Sequence, residues 1–151
     1  MKIIVVGYGS IGKRHVNNLL LIPNIEIIIC THRNNVDDNL KNKCKIFESL
    51  NDCLNEKPVA AIISNVTSLH IQTALKLASA GIHLFIEKPL SNNLENIKEL
   101  SNIVHDKKLI TFMGYNLRFH NCIKKIKELL ENNEIGKIIS VNAESGSYLP
   151  D

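Results

Sequence analysis

Lys2-Ile3-Ile4-Val5-Val6-Gly7-Tyr8-Gly9-Ser10-Ile11-Gly12 is the stretch whose reading decides the fold. Ile3 to Val6 is apolar without alternation, the pattern of a strand buried on both faces of a parallel sheet. From Ile11 to about Leu21 the residues Val16, Leu19 and Leu20 keep helical spacing, Pro23-Asn24 closes that segment, and Ile25 to Cys30 reads as a second strand. The glycines therefore form a GxGxxG turn between strand and helix of a βαβ unit. There Gly7 permits the tight turn, Gly9 lets a pyrophosphate approach the main chain, and Gly12 lets the helix pack close to the strand. The helix N-terminus adds free N–H groups and the positive end of its dipole. Gly7, Gly9, Ser10, Ile11 and Gly12 are accordingly the first candidate contacts to a dinucleotide.

Further along, strand and helix signals keep alternating. Val59 to Ser64 reads as a strand, Ser68 to Ala80 as a helix stopped by Gly81, and Ile82 to Ile86 as the next strand. Asn92 and Glu95 stand in capping-box spacing before a helix through Leu94, Ile97, Leu100 and Val104, and Leu109 to Met113 reads as a strand. Between Asn34 and Lys57 the pattern is weaker. Such alternation predicts an α/β domain with a doubly wound parallel sheet over residues 1–118. After Phe119 the register changes. A lysine-rich amphipathic helix uses Ile123, Ile126 and Leu130, Gly136 ends it, and Lys137 to Ser145 reads as an alternating strand. Residues 119–151 are thus expected to be the first helix and strand of a second α/β domain, cut short by the end of the chain.

Composition narrows the function classes. The 151 residues carry 18 Lys and Arg against 15 Asp and Glu, a net charge of +3 that is spread along the chain. The densest group, Lys124, Lys125 and Lys127, falls on one helix and reads as a solvated face, so no nucleic-acid partner is expected. Apolar runs of four to six residues are far short of a membrane span, and Met1-Lys2 leads into a strand in place of a signal peptide. The expected location is cytoplasmic. Cys30, Cys44, Cys53 and Cys122 show neither CxxC nor zinc-finger spacing, which predicts packed, reduced thiols and no metal site.

The remaining candidates sit at strand ends. An acidic residue about 20 positions past the glycines binds ribose hydroxyls in NAD enzymes, whereas an arginine accommodates the 2′-phosphate of NADP. This chain has Thr31-His32-Arg33 there and no carboxylate, Glu26 coming too early and Asp37 too late. Thr31 and Arg33 therefore favour NADP over NAD, unless Arg33 is only a solvated loop residue. Ser64, Asn65 and His70 follow the fourth strand, at the sheet edge where open α/β folds bind ligands. Ser68 or Thr67 is expected to cap the helix, and His70 either packs in its first turn or meets the ligand. Glu87-Lys88-Pro89 ends the fifth strand on the same edge, with Glu87 and Lys88 directed to opposite faces.

Taken in order, Gly7-x-Gly9-x-x-Gly12, Ser64 to His70, Glu87-Lys88-Pro89 and Gly114-Tyr115-Asn116-Leu117-Arg118-Phe119 resemble the Gfo/Idh/MocA oxidoreductases, a group that includes glucose–fructose oxidoreductase and inositol dehydrogenase. The resemblance runs the length of the chain. It implies an N-terminal Rossmann domain and a second domain on a large open sheet. It also implies NAD(P)-dependent hydride transfer between nicotinamide and a sugar-like alcohol or ketone, and homo-oligomers of the full-length protein. Glu87 and Lys88 are candidate coenzyme contacts on that edge; by the same resemblance Lys88 donates and accepts the proton, the Lys88–Pro89 bond is often cis, and Asn116 and Arg118 stand near nicotinamide and substrate, although both could be structural. A lysine near pKa 10.4 needs burial or a nearby positive ring to act as a base near neutrality. Val66 stands where the family often has proline. The family's Asp and His in the second domain have no counterpart within these residues, so the chain alone should bind coenzyme and turn over little. The alternative is a non-enzymatic NAD(P) sensor in which Lys88 has no chemical task; methyl transfer from S-adenosylmethionine is disfavoured because Glu87-Lys88-Pro89 gives it no support.

Overall fold

The computed structural model describes residues 1–32, 36–144 and 146. It divides into two units, Met1–Gly114 and Tyr115–Asp151. In the first unit the element order is β1 (Lys2–Val6), α1 (Ser10–Leu19), β2 (Glu26–Cys30), α2 (Asp38–Lys41), β3 (Cys44–Phe47), α3 (Leu50–Asn55), β4 (Ala60–Ile63), a 3₁₀ turn (Thr67–Leu69), α4 (His70–Ser79), β5 (His83–Ile86), α5 (Ile97–Asp106) and β6 (Thr111–Met113). The described strands form one parallel sheet in the order β3-β2-β1-β4-β5-β6. This is the expected doubly wound Rossmann arrangement, with the order reversing between β1 and β4.

Both faces of the inner strands are covered, which is why their sequences read as unbroken apolar runs. Ile4, Val6, Ile28, Ile63, Leu84 and Ile86 face α3, α4 and α5 through Cys53, Ala74, Leu77 and Leu100. Ile3, Val5, Ile27 and Ile29 face the other way, onto Tyr8, Val16, Leu19 and Leu40. On that second side, cover ends before β6: Ile3, Ala60, Ile62, Phe85 and Phe112 line an apolar hollow of about 270 Å³.

Strand ends share one level. Val6 pairs with Cys30 and with Ile63, Ile63 with Ile86, and Ile86 with Met113. The residue after each strand continues the ladder: Gly7 N–H donates to Cys30 O (2.9 Å), Ser64 N–H to Val6 O (2.8 Å), Glu87 N–H to Ile63 O (2.9 Å) and Gly114 N–H to Ile86 O (2.8 Å). The loops that carry the candidate residues therefore leave from a common edge.

Several boundaries depart from the sequence reading. The weak stretch after Asn34 holds α2, β3 and α3, short elements whose periodicity is too brief to register. The helix expected from Asn92 starts at Ile97. Ser91 Oγ and Asn93 Oδ1 instead accept from the amides of Asn93 (3.2 Å) and Glu95 (3.0 Å), local bonds that compete with helix formation and leave Leu94 exposed. Neither Thr67 nor Ser68 caps α4 through its side chain, because both lie within the 3₁₀ turn that precedes it. In the second unit a 3₁₀ turn (Asn116–Phe119) precedes α6 (Asn121–Glu131), capped by the His120 ring accepting from Cys122 N–H (3.3 Å). The strand expected over 137–145 is absent from described residues 137–144, and Ser145 lies outside them. A strand needs a ladder partner, and Ile139 and Val141 have none to bury them, being 98% and 79% exposed. Of the four thiols, Cys122 is exposed and only the other three are packed. Among the described residues no helix is long and apolar enough to cross a membrane.

Candidate coenzyme site

Gly7 enters the turn at φ +93°, a region open to glycine, and a Cβ on it would lie 2.6 Å from the Asn65 main chain. At Gly12 a Cβ would overlap the carbonyl oxygen of Gly7, so α1 can approach β1 this closely only with glycine there. Gly9 differs: nothing lies within 4 Å of where its Cβ would be. Its openness serves no packing contact of the protein. It keeps the cleft clear where α1 begins, and no side chain caps that helix start. The first-turn amides of Ser10, Ile11 and Gly12 have no intrahelical acceptor and remain for an anion. The side chains of Ser10 and Ile11 are exposed and do not line the cleft, so these two contribute through the main chain.

The cleft has a volume of about 540 Å³ and runs from the glycine turn along the ends of β1, β2 and β4 to α4. Thr31 lines it, buried at the end of β2. Arg33 lies outside the described residues. Ser64 lines it as well, but its hydroxyl donates to Val6 O (3.1 Å) and Gly7 O (3.2 Å), so it also pins the glycine turn. Asn65 donates from Nδ2 to Thr73 Oγ1 (3.0 Å), while its Oδ1 is shielded from solvent and lacks a hydrogen-bond partner in the protein.

His70 is placed differently from a ligand contact. It is 2% exposed, its Nδ1 is 2.9 Å from Pro89 O and its Nε2 3.1 Å from Asn65 O. Both ring nitrogens face main-chain carbonyls, of which a neutral ring donates to one, and the ring packs in the first turn of α4, the packed alternative of the sequence reading. Glu87 is likewise turned away from the cleft, toward α1: its Oε1 is 2.8 Å from His15 Nε2, and its Oε2 accepts from the Lys88 N–H (3.3 Å). Lys88 is exposed, with the Lys88–Pro89 bond cis and no ion pair to Glu87. Its burial is not supplied by this chain as it stands. Asn116 and Arg118 are exposed members of the second unit.

Sequence reasoning missed several contributors. Tyr8, an unspecified position of the glycine motif, is 1% exposed and donates to Asp37 Oδ2 (2.9 Å), while Lys13 Nζ reaches Asp37 Oδ1 (3.0 Å) and lies over the Tyr8 ring. Lys13 and Tyr8 hold the Asp37 carboxyl below its ordinary range; burial and Asp37 push the Tyr8 phenol up to about 12. Glu48, Gln72 and Lys76 also line the cleft. Gln72 and Lys76 are four residues apart on α4, and that helical spacing was the one available signal.

A cleft at the strand-order switch with a glycine-lined helix start is the dinucleotide geometry of open α/β sheets. The family profile described as "Oxidoreductase family, NAD-binding Rossmann fold", that of Gfo/Idh/MocA, matches residues 1–115. The chain belongs to this family. It is 33% identical over 142 residues to myo-inositol 2-dehydrogenase of Thermotoga maritima, covering 91% of this chain and 42% of that protein. It is 30% identical over 147 residues to scyllo-inositol 2-dehydrogenase (NAD(+)) of Bacillus subtilis, covering 89% and 41%. Among solved structures, scyllo-inositol dehydrogenase of Lactobacillus casei with NAD(H) and scyllo-inositol superposes with a TM-score of 0.81 at 25% identity, over 90% of this chain and 42% of that one. The chain thus spans about two fifths of the relatives it matches, and it corresponds to their NAD-binding part.

Proposed function

We propose that this chain is the coenzyme-binding part of a dehydrogenase acting on a sugar-like or cyclitol alcohol and its ketone, with Lys88 moving the proton. A nicotinamide coenzyme, when bound, takes or gives the hydride. The observation that carries the reading is the glycine turn: Gly9 leaves space that no packing requirement explains, beside first-turn amides with no acceptor. The Gly7 to Gly12 main chain would hold the phosphates, and Asn65 lines the same cleft. Names of several relatives specify inositol oxidation.

Lys88 leaves the same strand edge exposed, and among the described residues its ammonium group makes no ion pair, as a group that must exchange a proton with a substrate oxygen requires. Asn116 and Arg118 are assigned to substrate. The preferred coenzyme is NADP(H). Thr31-His32-Arg33 contains no carboxylate, and Asp37 is occupied by Tyr8 and Lys13, while Glu48 at the end of the neighbouring strand is the carboxylate that lines the cleft. Separate titrations with NADPH and NADH test this, and tighter NADH binding refutes it. Lys88→Met tests the chemistry: in the enzyme that carries this chain, polyol-dependent reduction of the coenzyme falls by about 10²- to 10⁴-fold with coenzyme affinity retained. Undiminished turnover would sink the proton-transfer role. The 151 residues alone bind coenzyme and give little turnover, since the relatives are more than twice as long.

A further inference from the structure

Glu87-Lys88-Pro89 is gripped from two helices by two histidines, neither of which the proposed chemistry uses. His15, on α1, places Nε2 at 2.8 Å from Glu87 Oε1, in an environment where the two side chains are only 18% and 17% exposed. The His15 ring also meets the Phe85 ring edge-on, at 5.3 Å between centroids. Glu87 Oε2 returns to the Lys88 amide (3.3 Å), and the carboxylate is closed in by Gly114, where a Cβ would lie 3.0 Å from Oε2. On the other flank His70, at the start of α4, reaches Pro89 O at 2.9 Å and Asn65 O at 3.1 Å. α1 begins at the glycine turn and Asn65 lines the cleft, so each histidine joins a wall of the coenzyme site to one neighbour of Lys88.

We infer that His15 and His70 are positioning residues which fix the main chain of Lys88 relative to the coenzyme cleft. The inference rests on the reading of Lys88 as the proton carrier. A hydrogen bond to a charged carboxylate in a shielded place is stronger than a neutral one, and a carbonyl left without its donor there is costly. Lys88 itself makes neither contact through its side chain, which leaves the ammonium group available while its backbone is held on both sides. Two links of this kind, 72 and 19 residues apart in sequence, tie the loop after β5 to elements that it does not pair with.

His15→Phe keeps a ring against Phe85 and removes the donor; His15→Gln keeps an N–H for the carboxylate. In amide hydrogen exchange of the 151-residue chain, the Glu87 and Lys88 amides exchange about tenfold faster in His15→Phe, while those of β1 and β2 are unchanged. His15→Gln recovers most of the protection, and His15→Phe combined with Glu87→Gln exchanges no faster than His15→Phe alone, because the two side chains act as one unit. NADPH affinity stays within about twofold in His15→Phe. His70→Phe, which keeps a ring in the same place and removes the donor to Pro89 O and Asn65 O, loosens Lys88 in the same assay. Unchanged exchange in His15→Phe, no recovery in His15→Gln, or additive effects in the double variant would overturn the inference. Failure of Lys88→Met to lower turnover would strike the proton-transfer reading instead and leave these exchange comparisons intact.

Discussion

Two corners of the same sheet edge are built by opposite means. At the glycine turn after β1 the geometry comes from missing side chains: Gly7 lies against the Asn65 main chain and Gly12 against the Gly7 carbonyl, contacts between backbones that cannot give way. At the corner after β5 the geometry comes from side chains that reach in: His15 on Glu87, Glu87 on the Lys88 amide, His70 on Pro89. The first corner is rigid because it is full. The second is held by a few directed bonds around an exposed lysine, so substitutions there should change function before they change folding.

The largest effect expected from breaking this contrast is at Gly12. Gly12→Ala forces α1 off β1 and costs on the order of 3 kcal/mol, read as a lowered midpoint in urea unfolding, with coenzyme binding lost as well. Gly9→Ala separates shape from stability. Its Cβ meets no protein atom, so the unfolding midpoint holds while coenzyme affinity falls about tenfold or more, and a drop in the midpoint would show that the open space is structural. Gly114→Ala probes the softer corner. The neighbour that must move is the Glu87 carboxylate, the end of a flexible side chain, so stability falls by about 1 kcal/mol or less while turnover through Lys88 drops further than that loss explains. The smallest effect concerns Asp37. Its folded-state pKa is held below the ordinary 3.8 by Lys13 and then Tyr8, so its stabilisation is present above pH 3.8 and disappears as pH falls through the lower folded value. Asp37→Asn should lower stability slightly and evenly above about pH 4 and flatten the acid limb below it, so that the variant and parent profiles converge at low pH.

What was legible in the sequence follows the same division. β1, the glycine turn and α1 declare themselves because period, glycine spacing and burial all lie within 20 consecutive residues. Long amphipathic segments such as α4 were also readable, although its start slid into a 3₁₀ turn and its expected caps were unused. The short elements between Asp38 and Asn55 escaped because four to six residues carry too little periodicity. For Glu87 and His70, a position at a strand end or just past it says where the residue leaves the sheet and nothing about its partner, so the coenzyme and the protein's own groups stay equally open as contacts. The bond between His15 and Glu87 spans 72 positions, and only the crossover topology brings α1 over the end of β5. Over residues 137–144, alternation alone described a strand that no neighbouring ladder completes.

The shared level of the strand ends makes the polarity of β5 a matter of counting. Successive residues face opposite sides, so removing a single residue within His83–Ile86 while keeping the ladder would move Lys88 into the position of Glu87 and Glu87 into that of Ile86. The carboxylate would then take the place of a fully buried isoleucine, and the amine would meet an imidazole on α1. Length in that short strand is thus as much a determinant of chemistry as the identity of the lysine.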